Sequence, residues 1–344
     1  MSSSCDYANA RISARRGQLL GATGLREVAS RTDLEGQVEV LRRSLWGRAI
    51  GQERAEGPRD LPSVERALTV EEHAQRGEVE RFVGRGARET LRAMLVVDAV
   101  GALAILLRGV ARGEEAEQVL ARCVEVPELP LSLARAVASS ATREAAAAAL
   151  EEAGSPLAPI LRAALPAATR EPPELHLEVA MQRVALARAS AAALGRRGEG
   201  AVLADALTLH TDHLNAATLL AVESPTHAQD LHLEGGRLDR ALFARLAALA
   251  PAERVAPLAA FVSPPGVERR LGPGDLARPG AAEQRLAAIR ERALRRAARA
   301  QPLGLAVPLA WLVALRCELR RIRLVLRGTA FAMPADALLD LVEA

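Results

Sequence analysis

A long internal repeat is the feature that most constrains the fold. The segment VGALAILLRG (100–109) returns as LRRIRLVLRG (319–328), and DHLNAATLLA (212–221) keeps the same apolar rhythm, with Ala221 where the others have Arg108 and Arg327. Those three positions lie 113 and 106 residues apart. A second marker, VERAL (64–68), LEVAM (177–181) and AEQRL (282–286), places Glu65, Glu178 and Glu283 at spacings of 113 and 105, each at the start of an amphipathic helix. A third pairs LREVAS (25–30) with ARAVAS (134–139), 109 residues apart, while LFARLA (242–247) keeps only the helical pattern. Three markers in one order imply triplication, with joins near residues 115 and 231 and therefore domains at 1–114, 115–231 and 232–344. Stacked hairpin repeats run about 20–45 residues, so a period near 110 makes each copy a small domain of its own.

Each copy reads as a helical hairpin region, a loop rich in Gly and Pro, and two longer helices. The loops GQERAEGPRDLP (51–62), REPPEL (170–175) and SPPGVERRLGPGDLARPG (263–280) fall at comparable places, and such turn chemistry ends helices. Half of the residues are hydrophobic, mostly Ala, Leu and Val, and aromatics are 2%, a mixture that favours helices over sheets. An all-α protein is expected. Its 344 residues exceed what one growing core accommodates, which fits several sub-domains.

All 45 basic residues are arginine, nearly matched by 42 acidic ones and interleaved with them, and the net charge is only +3. A dedicated nucleic-acid face is not expected. Cys5, Cys123 and Cys317 are odd in number and far apart, unlike a disulfide framework or a thiolate metal site, and fit a reducing cytoplasm. The opening MSSSCDYANAR lacks the apolar core of a signal peptide. The longest apolar runs are broken by Asp98 or ended by Arg316, short of a bilayer span, so the chain itself is not expected to cross a membrane.

The last copy has the clearest periodicity. Leu312, Leu315, Leu319, Ile322 and Leu326 recur at steps of three and four, with Pro308 in the first turn and Pro334 past the end. Beside this stripe run Arg316, Arg320, Arg323 and Arg327. Four clustered guanidinium groups repel one another unless an acidic partner or polar backbone lies opposite, and these four are the candidate partner-binding residues. The stretch holding His210, Asp212, His213, His227 and His232 lacks the spacing of a zinc site and is read as satisfied or surface histidines. GRGARE (84–89) and GRRGEG (195–200) lack the flanking strand and Lys-Ser/Thr of a phosphate loop. Glu65, Glu178 and Glu283 need no more than a favourable place on the helix dipole. No GxSxG, HExxH or close Ser-His-Asp arrangement is present, and Glu114 and Glu115 lie in a solvated run, so no catalytic site, cofactor or metal is expected.

YANARISARRGQLL at the start and PLAWLVALRCELRRIRLVLRGTAFAMP at the end resemble the two ends of a central-stalk component of V/A-type ATPases, named C in bacterial and archaeal complexes and d in eukaryotic ones. Tyr7, Ala8, Asn9, Ala10 and Arg11 match the opening of that family, and Asp212, Asn215 and Leu219 match its Asp-x-x-Asn-Leu-type element. Gly235, Gly236 and Leu238 match its Gly-Gly-x-Leu step; Glu318, Arg320, Ile322, Arg323, Leu326, Arg327 and Gly328 match its close. Departures are Ala102 and Arg321 at the Asn position, Asp98 one residue too far from Arg108, Ala221 for the middle Arg, and Thr329 for the final Lys.

The resemblance implies a funnel of three similar helical domains about a pseudo-threefold axis. Such a protein is a non-catalytic socket that caps the proteolipid c/L ring and receives the rotor shaft, built from D- and F-type subunits. It passes torque between ATP hydrolysis or synthesis and proton or sodium transport. It would be peripheral on the cytoplasmic face of the membrane, reached through the ring, with no direct nucleotide and no nucleic acid. The alternative is an α-helical repeat scaffold mediating protein–protein interactions, and an enzyme is a more distant third choice.

Overall fold

The computed structural model describes residues 5–53, 60–123, 125–195, 200–222, 230–262 and 279–343. The protein is all-α: 80% of it is helical, and among the described residues no strand forms beyond an isolated bridge between Val126 and Leu129. The helices, in chain order, are α1 (Asp6–Arg15), α2 (Gly21–Ala29), α3 (Leu34–Arg42), α4 (Gly47–Glu53), α5 (Leu61–Phe82), α6 (Arg85–Ala111), α7 (Ala116–Arg122), α8 (Leu131–Ala138) and α9 (Arg143–Glu152). They continue as α10 (Ala158–Ala164), α11 (Pro173–Leu194), α12 (Gly200–Ala221), α13 (Arg240–Ala247), α14 (Pro251–Val262), α15 (Pro279–Ala300), α16 (Ala306–Ala330) and α17 (Ala335–Glu343).

Element lengths recur with the sequence period. Short helices α2, α8 and α13 are each followed by another short one, α3, α9 and α14. After the further seven-residue helices α4 and α10 in the first two stretches, a helix of 22 residues follows in all three, α5, α11 and α15, and after it a long helix of 27, 22 or 25 residues. Local chemistry sets several boundaries. Asp33 and Thr142 cap α3 and α9 by accepting from the Gly36 and Ala145 amides at 2.7 and 3.1 Å, and Asp60 and Asp239 do the same for α5 and α13. Pro172 and Pro173 open α11, as the REPPEL loop implied. The loop segments 54–59 and 263–278, the 196–199 part of GRRGEG, the side chain of Glu283, and His227 lie outside the described residues.

The chain divides into two compact units. The first takes Met1–Arg88 together with Gly280–Ala344. Its central element is α16, which packs on α1, α2, α3, α5 and α17. Leu312, Leu315, Leu319, Ile322 and Leu326 are all buried, as their spacing required. The second unit is Glu89–Pro279, in which α12 packs on α11, α13 and α14 and the short helices α7 to α10 pack in series. Helix α6 is long and apolar enough to span a bilayer, with a mean hydropathy of 2.0, but 67% of that stretch is buried inside the protein, as in a core helix.

One detail recurs in both units. A Cβ on Gly109 of α6 would stand 2.3 Å from Val119 of α7, and one on Gly328 of α16 would stand 2.2 Å from Leu338 of α17. Each contact lies ten residues after its glycine, so the helix following the long helix presses onto the glycine in both places. In the second unit α7 then packs on α8; in the first, α17 packs on α2. The C-terminal helix thus does for the start of the chain what α7 does for its middle.

Candidate functional site

The arginine stripe of α16 faces the polar side of α5, where Glu65, Thr69 and Glu72 follow one another at helical spacing. Arg327 forks onto Glu65, Nε to Oε1 at 2.5 Å and Nη2 to Oε2 at 2.9 Å, and this pairing raises the guanidinium's pKa against the effect of burial. Arg323 is buried and donates to the Thr69 hydroxyl, and Arg316 meets Glu72 at 3.3 Å. Arg320, on the turn between them, is exposed. A polar counter-surface for Arg316, Arg323 and Arg327 is therefore supplied from within the chain.

The other side of α5 is equally occupied. Arg48 of α4 pairs with Glu71 at 3.2 Å, and Gln75 bridges Glu71 to Arg15 of α1, which also pairs with Glu78. Glu71 and Glu72 are almost wholly buried, and carboxylates at that depth are tolerable only when paired. Helix α5 is an acidic spine to which α1, α4 and α16 are bound by guanidinium groups.

The matching pair in the second unit is Arg108 with Glu178, 2.6 Å apart. Glu65 and Glu178 thus sit beyond the first turns of α5 and α11 and serve as ion-pair partners of the repeated arginines, rather than as the dipole-stabilised residues expected. The equal spacing of the two markers is the sequence signal for this pairing, and neither marker carries it alone. At the third position, where Ala221 replaces the arginine, another residue holds the helix end. Arg254 of α14 is 1% exposed and donates to the carbonyls of Leu219 (2.8 Å), Val222, Ala247 (2.9 Å) and Leu249 (2.8 Å), closing the C-termini of α12 and α13 together.

Two buried carboxylates organise the entrances to the short helices. Glu318 accepts from the Leu20 and Gly21 amides at 3.1 and 3.0 Å and from Trp46 Nε1 at 2.9 Å. Burial pushes its pKa up, and those three donors hold it down. Asp212 accepts from the Arg237 and Leu238 amides at 2.7 and 3.0 Å and from Arg237 Nε at 2.7 Å. A Cβ on Gly236 would stand 2.5 Å from the Asp212 oxygen, and Gly235 has φ +94°, so the Gly-Gly step lets the backbone wrap this carboxylate. Asn215 completes the arrangement by exchanging hydrogen bonds with the Leu233 backbone, both at 2.8 Å. The opening YANAR plays a comparable part, since Asn9 donates to the Pro302 and Gly304 carbonyls at 3.1 and 3.2 Å and ties α1 to the turn between α15 and α16.

None of this resembles reaction chemistry. The thiols of Cys123 and Cys317 are pushed up to about 11, chiefly by burial, which keeps them protonated at neutral pH. His232 lies against Phe243 with Nε2 at 2.7 Å from the Leu238 carbonyl. Among the described residues no group of three His, Cys, Asp or Glu side chains is placed to hold a metal ion.

Residues 8–341 match the family model described as ATP synthase (C/AC39) subunit. The chain is 25% identical over 338 residues to the C subunit of the V-type ATP synthase of Deinococcus radiodurans, covering 98% of this chain and 91% of the relative. It is 31% identical over 247 residues to the C subunit of the V-type ATP synthase of Thermus thermophilus, covering 70% of each. The family match runs over both compact units and spans Asn9, Asp212, Gly236, Glu318 and Arg327. The chain belongs to the ATP synthase (C/AC39) subunit family.

Proposed function

We propose that this protein is a non-catalytic central-stalk rotor subunit of a V/A-type ATPase, a socket that joins the D/F-type shaft to the proteolipid ring and carries torque between them. The observation that carries the reading is the way α16, at the end of the chain, is bound into its beginning. Glu318, Arg323 and Arg327 on one helix engage Leu20, Gly21, Trp46, Thr69 and Glu65, so a twist applied at either end of the chain is resisted by charged and hydrogen-bonded ties. A torque-bearing element needs such distributed ties rather than one deep pocket.

In this reading residues 1–114, 115–231 and 232–344 are three copies of one domain about a pseudo-threefold axis. The recurrent 22-residue helices and the matching Gly109 and Gly328 contacts support that arrangement. The protein sits on the cytoplasmic face and reaches the membrane through the ring. Nucleotide is handled elsewhere in the complex. Within the stripe, Arg320 is the member presented outward for a partner, while Arg316, Arg323 and Arg327 hold the helix that presents it. The test is affinity capture of the tagged full chain from detergent-solubilised host membranes. Co-purification of shaft and ring subunits is the expected result, and capture of neither overturns the reading.

A further inference from the structure

Helix α1 runs along α5, and two of its arginines meet that helix in different ways. Arg15 reaches Gln75 at 2.9 Å and pairs with Glu78. Glu71, Gln75, Glu78 and Phe82 follow at steps of four, three and four, so this polar face of α5 ends in a ring. One turn before Arg15, Arg11 meets that ring where its neighbour meets a carboxylate. Its guanidinium carbon stands 5.2 Å from the centre of Phe82 and 5.9 Å from that of Tyr7, and the two rings lie edge to face with centres 5.1 Å apart. Among the described residues these ring contacts are what Arg11 meets, and no carboxylate pairs with it.

Tyr7 is 59% exposed, and Ala10, Arg11 and Ala14 are exposed beside it at the steps of one helix face. Asn9 is turned elsewhere, onto the Pro302 and Gly304 carbonyls. Rings that hold a guanidinium in place attract its charge and leave its N–H donors for an acceptor, and they remove beforehand part of the side-chain freedom that binding would cost. We infer that Tyr7 and Arg11 form a docking point on the outer face of α1 for a protein partner that sets an Asp or Glu carboxylate on Arg11 and lays an apolar side chain against Tyr7. Charge complementarity selects the carboxylate, whose two oxygens match the guanidinium fork, and Ala10 and Ala14 are small enough to let the partner's chain come close. Tyrosine and arginine are also the residues on which interface energy concentrates. An anionic membrane is the poorer fit, because it draws on clusters of roughly four to eight basic residues, whereas this face carries one arginine and has Asp6 next to Tyr7. The inference rests on the reading of the chain as one subunit of an assembly and supplies the chemistry of one of its contacts.

The test places a photo-crosslinking amino acid at Ala14 of the tagged full chain, with Arg11 intact or as Arg11→Gln. Each protein is irradiated in host membranes, captured, and its adduct located by mass spectrometry. The expected adduct joins α1 to another protein at a segment bearing an Asp or Glu, and its yield should fall at least about fivefold in Arg11→Gln. An adduct confined to the chain itself or to lipid, a partner segment without an acidic residue, or equal yields from both proteins overturns the inference. Arg11 is exposed, so thermal melts of the two proteins are expected to coincide. If Arg11→Gln melts early, a charge swap decides: Arg11→Glu combined with Arg at the partner's acidic position should restore the adduct that Arg11→Glu alone loses, and failure to restore it overturns the inference. Capture separates this inference from the broader reading. If shaft and ring subunits are retained while the adduct fails, the face is not a docking point although the assembly is real; if none is retained, the assembly itself is overturned.

Discussion

In the second unit, Asp212 caps backbone amides 25 and 26 residues further along the chain, at Arg237 and Leu238. In the first unit, Glu318 does the same for Leu20 and Gly21, which are 298 and 297 residues away. The device is shared: a carboxylate on a long helix satisfies the entrance to the short helices beside it. The difference is that the second unit draws its parts from one continuous stretch, whereas the first is complete only when the two ends of the chain meet. Helix α17 on α2 repeats α7 on α8 under the same condition. Closing a loop of that length is entropically unfavourable and slow, so the first unit should be the later to form and the first to open.

Truncation after Leu305 breaks this comparison hardest. It removes α16 and α17, hence Glu318, Arg323, Arg327 and Leu338, while leaving every residue of the second unit in place. Hydrogen exchange should show α2 to α5 losing protection while α8 to α12 keep theirs; retained protection over α2 to α5 would show that the first unit does not depend on its C-terminal half. Next in size is Arg254→Met, which acts on the second unit alone. It leaves four carbonyls, two of them in buried contacts, without their shared donor and is expected to lower stability by roughly 3–5 kcal/mol, measured by urea unfolding. A loss below about 1 kcal/mol would mean water replaces the guanidinium easily.

The two glycine contacts sharpen the comparison because they are alike in geometry and different in compliance. Gly109→Ala meets the stiff, β-branched Val119 and should destabilise by roughly 1–3 kcal/mol. Gly328→Ala meets the tip of Leu338, which has other rotamers, and should cost less. Thermal melts of the two variants give the order, and a larger loss at Gly328 would reverse the assignment of the stiffer contact.

Much of the fold is legible in the sequence. The period near 110 and the Ala-Leu composition point to a helical chain with recurring elements, and the stripe from Leu312 to Leu326 is buried as its spacing demands. The pairings are not legible. Glu65 and Arg327 are each visible as repeated markers, but 262 residues separate them, and periodicity within a helix says which face is polar without saying what it meets. The same holds for Asp212 and the Gly-Gly step: two motifs apart in the chain turn out to be one capping arrangement. Spacing alone fits an outward-facing row of four arginines on α16 equally well; only the polar side of α5 distinguishes Arg323, buried, from Arg320, exposed.

A smaller effect concerns the Glu318 cap. Burial raises the Glu318 carboxyl above the ordinary 4.5, so the folded protein holds that proton more tightly than the unfolded chain does. Its contribution to stability is therefore largest at acidic pH and declines as pH rises from 4.5 through the raised value. Glu318→Gln lacks this slope, and the stability of wild type minus that of the variant should shrink as pH rises from 4.5 through the raised value. A difference that widens with pH would contradict the direction assigned.

The central claim is mechanical coupling, and the most direct measurement follows ATP hydrolysis and ion uptake side by side in membrane vesicles prepared with and without this protein. Without it, hydrolysis by the catalytic head is expected to continue while ion uptake falls to background, because rotation no longer reaches the ring. Ion uptake undiminished in its absence, or saturable ATP turnover by the purified protein alone, would contradict the account.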